Sequence, residues 1–108
     1  MKAFVLFGVF APDLESAAKD LNSALDIQAE PHESISIGVY YAYRGKAGEK
    51  LKLISKILYD QEEEYEAEPT FPEWNVFLYV DHTNLGFPLI SKVEENPQLF
   101  RKLRVNLL

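Results

Sequence analysis

The 108-residue sequence contains no cysteine. A disulfide staple, a cysteine-ligated zinc site and a thiol nucleophile are therefore excluded. Glycine is scarce, at five residues, and the one glycine-bearing basic run, Arg44 to Gly48 (RGKAG), lacks the G-x-x-x-x-G-K-[ST] order of a phosphate loop. Only two histidines are present, with no H-E-x-x-H spacing, and no serine sits in a recognisable nucleophile elbow. Long hydrophobic runs are also missing. Lys2 to Ala11 (KAFVLFGVFA) carries one basic residue, stops at Pro12 and is far shorter than the ~20 residues that span a bilayer, so it reads as a buried strand rather than a signal peptide. Basic residues are outnumbered, 11 Lys+Arg against 17 Asp+Glu, and the net charge of −6 argues against nucleic acid or an anionic membrane as the main partner. Together these absences give the expectation of a cytoplasmic protein with no cofactor and no metal.

What is present is enough for a core: 47% of residues are hydrophobic and 13% aromatic. The length fits a single α+β domain over residues 1–108. Ala3 to Phe10 is almost wholly apolar, as a strand covered on both faces would be. Pro12 and Asp13 start a helix, Asp13 as its cap, with Leu14, Ala17, Ala18, Leu21 and Leu25 along one stripe. After polar residues 28–33, Ile35, Ile37, Val39, Tyr41 and Tyr43 alternate with smaller or more polar residues and predict one long strand. From Gly48 onward, Leu51, Ile54, Ile57 and Leu58 have helical spacing, with Lys46, Lys50, Lys52 and Lys56 on the remaining surface. The acidic stretch 60–73 follows as the last turns of that helix or as an exposed loop. Trp74, Val76, Leu78 and Val80 then alternate as a third strand. Thr83 or Asn84 caps a short helix with Leu89, Ile90 and Val93, and after Asn96 and Pro97 a turn of helix leads into a strand from about Leu103.

The resulting order is β-α-β-α-β-α-β. It predicts an α+β fold, a four-stranded mainly antiparallel sheet with helices on one face, which resembles the ferredoxin-like arrangement. The alternative is an α/β fold with a parallel sheet; the half-polar second strand and the charged last strand favour the antiparallel form.

Two constellations are candidates for chemistry. His32 adjoins Glu33, and Asp81 adjoins His82. In an antiparallel pair of second and third strands these lie at one end of the sheet, where imidazoles and carboxylates suit acid–base work or a divalent metal. Tyr40, Tyr41, Tyr43 and Tyr79 with Trp74 give the sheet many rings with polar tips. Tyr41 and Tyr43 read as core, whereas Tyr40, opposite them, reads as a contact residue. Tyr40, Tyr79, His32 and His82 thus form the candidate ligand pocket.

The charge pattern is the strongest signal. Residues 44–56 carry net +4 and residues 60–73 net −7, so the 94 residues outside the acidic segment sum to +1. Seven like charges in fourteen residues repel one another unless something positive meets them, and Tyr65, Phe71 and Trp74 are interleaved as anchors. The competing reading is a solvated segment paired with the lysines before it. The leading expectation is a non-enzymatic interaction module, of the class that includes immunity-type and antitoxin-type neutralisers, presenting Glu62, Glu63, Glu64, Tyr65, Glu66, Glu68 and Trp74 to a protein with a basic surface. The alternative is a small-molecule or metal-binding domain or enzyme on a homodimeric ferredoxin-like scaffold.

Overall fold

Strand β1 (Ala3–Val9) takes the apolar run, and its alternate residues face opposite layers. Ala3, Val5, Phe7 and Val9 enter the main core, whereas Leu6 is buried on the other side. Helix α1 (Leu14–Leu25) follows, capped by Asp13, whose Oδ1 accepts the Ser16 amide at 2.8 Å. Ala17, Ala18, Leu21 and Leu25 are its buried stripe. Asp26 ends it in the left-handed region at φ 53°, donating its amide to the Asn22 carbonyl. The computed structural model describes residues 3–46, 48–60, 63–83 and 88–107, and at 82, 83 and 88 the backbone alone is considered.

Six strands form one sheet in the order β2-β3-β4-β7-β1-β8, antiparallel at every step, and β5-β6 form a separate two-stranded sheet. The others are β2 (Glu30–Ser34), β3 (Gly38–Arg44), β4 (Lys50–Ser55), β5 (Ile57–Asp60), β6 (Glu63–Glu66), β7 (Val76–Thr83) and β8 (Phe100–Leu107), with α2 (Pro88–Glu94) between β7 and β8. Both helices pack on one face, over Leu51 and Leu53 of β4, Val76, Leu78 and Val80 of β7, and Phe100 of β8. Lys92 Nζ, donating to the Leu25 carbonyl at 3.3 Å, links α2 to the end of α1.

This architecture overturns the four-stranded ferredoxin-like expectation, and the all-antiparallel pairing overturns the parallel alternative. Three local differences account for it. The expected second helix is β4 and β5: Leu51 and Leu53 are buried among the helices while Ile54 is buried without joining them, so the apparent i, i+3 spacing joins residues from opposite faces of a strand. The expected long strand from Ile35 is a hairpin. Residues 35–37 form its turn, Gly38 takes φ +86°, and the polar residues 30–34 are the first arm. The C-terminal strand begins at Phe100, with no intervening helix, and Thr83 lies within β7 rather than capping α2. Asn84, the other expected cap, lies outside the described residues.

Candidate functional site

The sheet face away from the helices is only partly covered. Leu6, Trp74 and Phe77 form a small second core there, joined by Ala67, Phe71, Tyr79 and Leu103. Trp74 rests on Gly8, where a Cβ would overlap the indole. Glu68 ties the covering segment down: Tyr79 Oη donates to Glu68 Oε2 at 2.7 Å, and Arg104 Nη2 lies 3.0 Å from Glu68 Oε1. Burial first, then the bond to Glu68 and that carboxylate's charge, raise the Tyr79 phenol above its ordinary range.

The uncovered part lies over β2, β3, β4 and the end of β7. Side-chain alternation puts Lys50, Lys52 and Ile54 of β4 on this face, with Tyr79 opposite Lys52 and Asp81 opposite Lys50. Lys52 Nζ sits 5.2 Å from the centroid of the Tyr40 ring, and His32 stacks on the same ring at 5.4 Å between centroids. Lys50 and Lys52 line two shallow cavities, one of about 490 Å³ with Glu30, His32, Tyr40, Ala42 and Arg44, the other of about 390 Å³ with Phe4, Ile54, Tyr79 and Asp81.

Tyr40 and Tyr79 therefore meet one another only through Lys52, and His32 joins Tyr40. His82 does not join them. β2 and β7 are separated by β3 and β4, which places His32 and the His82 backbone about 14 Å apart across the sheet at ~4.8 Å per strand. The expected shared imidazole site requires those strands to be neighbours, and they are not. Among the described residues, no group of three or more His, Asp or Glu is placed to hold a metal ion.

The acidic stretch is neither helix nor loop at its centre. β5 and β6 pair Tyr59 with Glu64 and Asp60 with Glu63, and residues 63–66 are all exposed. The hairpin is held by the β2–β3 turn: the Tyr59 amide donates to the Ile37 carbonyl at 3.5 Å, and Tyr65 Oη donates to the Ser36 carbonyl at 3.0 Å. Around this corner Ile35 is 82% exposed, with Tyr59 and Tyr65 half-exposed; Val39, also exposed, lies on the other face of β3, the side of Tyr41 and Tyr43. The neighbouring lysines do not neutralise the acids. The two ion pairs among the described residues are Lys102–Glu94 and Arg104–Glu68, and Lys56 Nζ donates to the Pro72 carbonyl.

Of the expected contact residues, Glu63, Glu64, Tyr65 and Glu66 share this hairpin, and Glu62 lies outside the described residues. Glu68 is engaged with Tyr79 and Arg104, and Trp74 is buried at 7% exposure, so both serve the second core rather than an exposed surface. Sequence reasoning missed Lys50, Lys52 and Arg44 as neighbours of Tyr40. The signal was the strict alternation Lys50-Leu51-Lys52-Leu53. No protein-family model matches the chain, and no curated protein is similar to it.

Proposed function

We propose that this protein is a non-enzymatic interaction module that meets a basic protein surface through the β5–β6 hairpin and the adjoining β2–β3 turn. The observation that supports this best is that Glu63, Glu64 and Glu66 have no ion-pair partner among the described residues while bordering the exposed apolar groups of Ile35, Tyr59 and Tyr65. An apolar centre with a charged rim is the usual anatomy of a protein contact: the centre supplies affinity and the rim steers encounter and sets salt dependence. Glu62 belongs to the same acidic run in sequence. The distance between His32 and His82 weighs against the alternative of a shared acid–base or metal site.

The test separates location from total charge. Binding of a fluorescent decalysine peptide is measured for the wild type, for E63Q/E64Q/E66Q, and for a control, E15Q/D20N/E95Q, in which three acids elsewhere are neutralised. Both variants carry −3 in place of −6. The reading expects the hairpin variant to lose most of the affinity and salt dependence, and the control to retain them. Equal losses in both variants would remove the hairpin from the account.

A further inference from the structure

We propose that the exposed basic part of the open sheet face receives the acidic hairpin of a second copy of this chain, in a reciprocal two-fold dimer. The idea rests on the hairpin being an interaction arm, and names a partner for it.

Cations outnumber carboxylates on the uncovered face, three to two: Glu30 lies opposite Ala42 and Asp81 opposite Lys50, beside Arg44, Lys50 and Lys52. Arg44, Lys50 and Lys52 surround Ala42, with Tyr40 beside them. Arg44 and Lys50 make no ion pair among the described residues, and Lys52 lies over the Tyr40 ring. With Glu30 and His32 at its border, this group of three cations and an aromatic ring around a small floor residue forms a shallow, net positive receptor for carboxylates carried on a narrow element. A two-stranded hairpin has that shape.

The same chain cannot fill its own receptor. β3 runs from Gly38, where Tyr59 of the hairpin approaches, to Arg44, which pairs with Lys50. Six residue steps at ~3.3 Å separate these ends by about 20 Å, more than twice the ~8 Å screening length at physiological salt. Each molecule thus has a strongly acidic end and an end with a small excess of positive charge along one strand direction. Placing two open faces together with their strands antiparallel puts each end against its opposite. That contact is isologous and closes at two copies, whereas head-to-tail stacking would continue indefinitely.

Size sets the expected strength. The uncovered face spans about four strands of ~4.8 Å by about 20 Å, or roughly 400 Å², half of the ~800 Å² per partner of a standard stable interface. The dimer should therefore be weak, forming at tens to hundreds of micromolar in low salt and dissociating as salt rises.

The experiment is sedimentation equilibrium on the full chain and on two charge-reversed variants, K50E/K52E and E63K/E64K, alone and mixed in equal amounts. The expected result is a salt-sensitive wild-type dimer, monomers for each variant alone, and a heterodimer in the mixture, because reversing both sides restores both reciprocal contacts. Recovery in the mixture also shows that each variant is folded; circular dichroism melts check this independently. A wild type that stays monomeric at hundreds of micromolar in low salt overturns the dimer, and so does a mixture of folded variants that stays monomeric. Species growing beyond dimer overturn the closed two-fold form. If the wild type is monomeric but decalysine binding still depends on the hairpin acids, the dimer fails while the reading of the hairpin stands. If the charge-dependent dimer persists but decalysine binding ignores the hairpin acids, the dimer stands and the hairpin's role toward other basic partners falls.

Discussion

Tyr79 Oη donates to Glu68 Oε2 at 2.7 Å while the other carboxylate oxygen faces Arg104 Nη2 at 3.0 Å, so one side chain from the covering segment joins β7 to β8 across β1. This three-residue link fixes residues 67–74 over the second core and sets where the hairpin before them emerges.

Removing Glu68 should loosen that cover. Glu68→Ala leaves a half-buried phenol without its acceptor and an arginine without its partner, a loss of about 1–3 kcal/mol, toward the lower end because Arg104 is well exposed. Urea unfolding of the variant beside Tyr79→Phe should give similar losses, and the double variant should cost less than their sum. Simple additivity would show that the two side chains act independently.

The Tyr79 phenol also predicts a behaviour at high pH. Its folded pKa lies above the unfolded value of about 10, so the contribution is complete below that value and is lost as pH rises above it toward the folded value. Ultraviolet titration should show a phenol ionising above the ordinary tyrosine range, and Tyr79→Phe should abolish that late step. The same late step in the Tyr79→Phe protein would contradict the assignment.

The contact between Gly8 and Trp74 gives a third expectation. A methyl group at position 8 has no room beneath the indole, so Gly8→Ala should push Trp74 toward solvent at about 1–3 kcal/mol. As Trp74 is the sole tryptophan, its emission should shift to the red. Trp74→Ala should cost about 3–5 kcal/mol, the loss of a core residue rather than of a contact residue.

Asp13 should show its capping role by pH. The Ser16 backbone amide, then the Ser16 side chain, hold its carboxyl below the usual range, so the contribution is present above pH 4 and is lost as pH falls through the lowered value. Asp13→Ala should lower the melting temperature at pH 7, and the gap from the wild type should close at strongly acid pH.

The first strand was legible in the sequence as an unbroken apolar run, and the first helix and the alternation of β7 because each follows a single period over seven or more residues. The middle of the chain was not. Residues 50–58 satisfy a helical count of apolar positions and, equally, the alternation of Lys50, Leu51, Lys52 and Leu53; only neighbouring strands decide between them, and those neighbours are supplied by β3 and β7. Ser34 to Gly38 alternates like a strand, yet the Ser34 Oγ accepts the Ser36 amide and Gly38 turns into the left-handed region, local choices invisible to periodicity. The acidic charge of residues 60–73 was readable from composition. Its division between an exposed hairpin and the engaged Glu68 depends on Arg104, thirty-six residues further along the chain.

The hairpin is the centre of the functional account, and its acids should carry little stability: E63Q/E64Q/E66Q should lie within about 0.5 kcal/mol of the wild type. The most direct test maps where a cationic partner lands, by recording amide chemical shifts as decalysine is added. The account predicts perturbations concentrated at residues 57–66 and 35–39, lost in that variant at unchanged stability. Perturbations centred instead on α1, or spread evenly over every exposed acid, would contradict it.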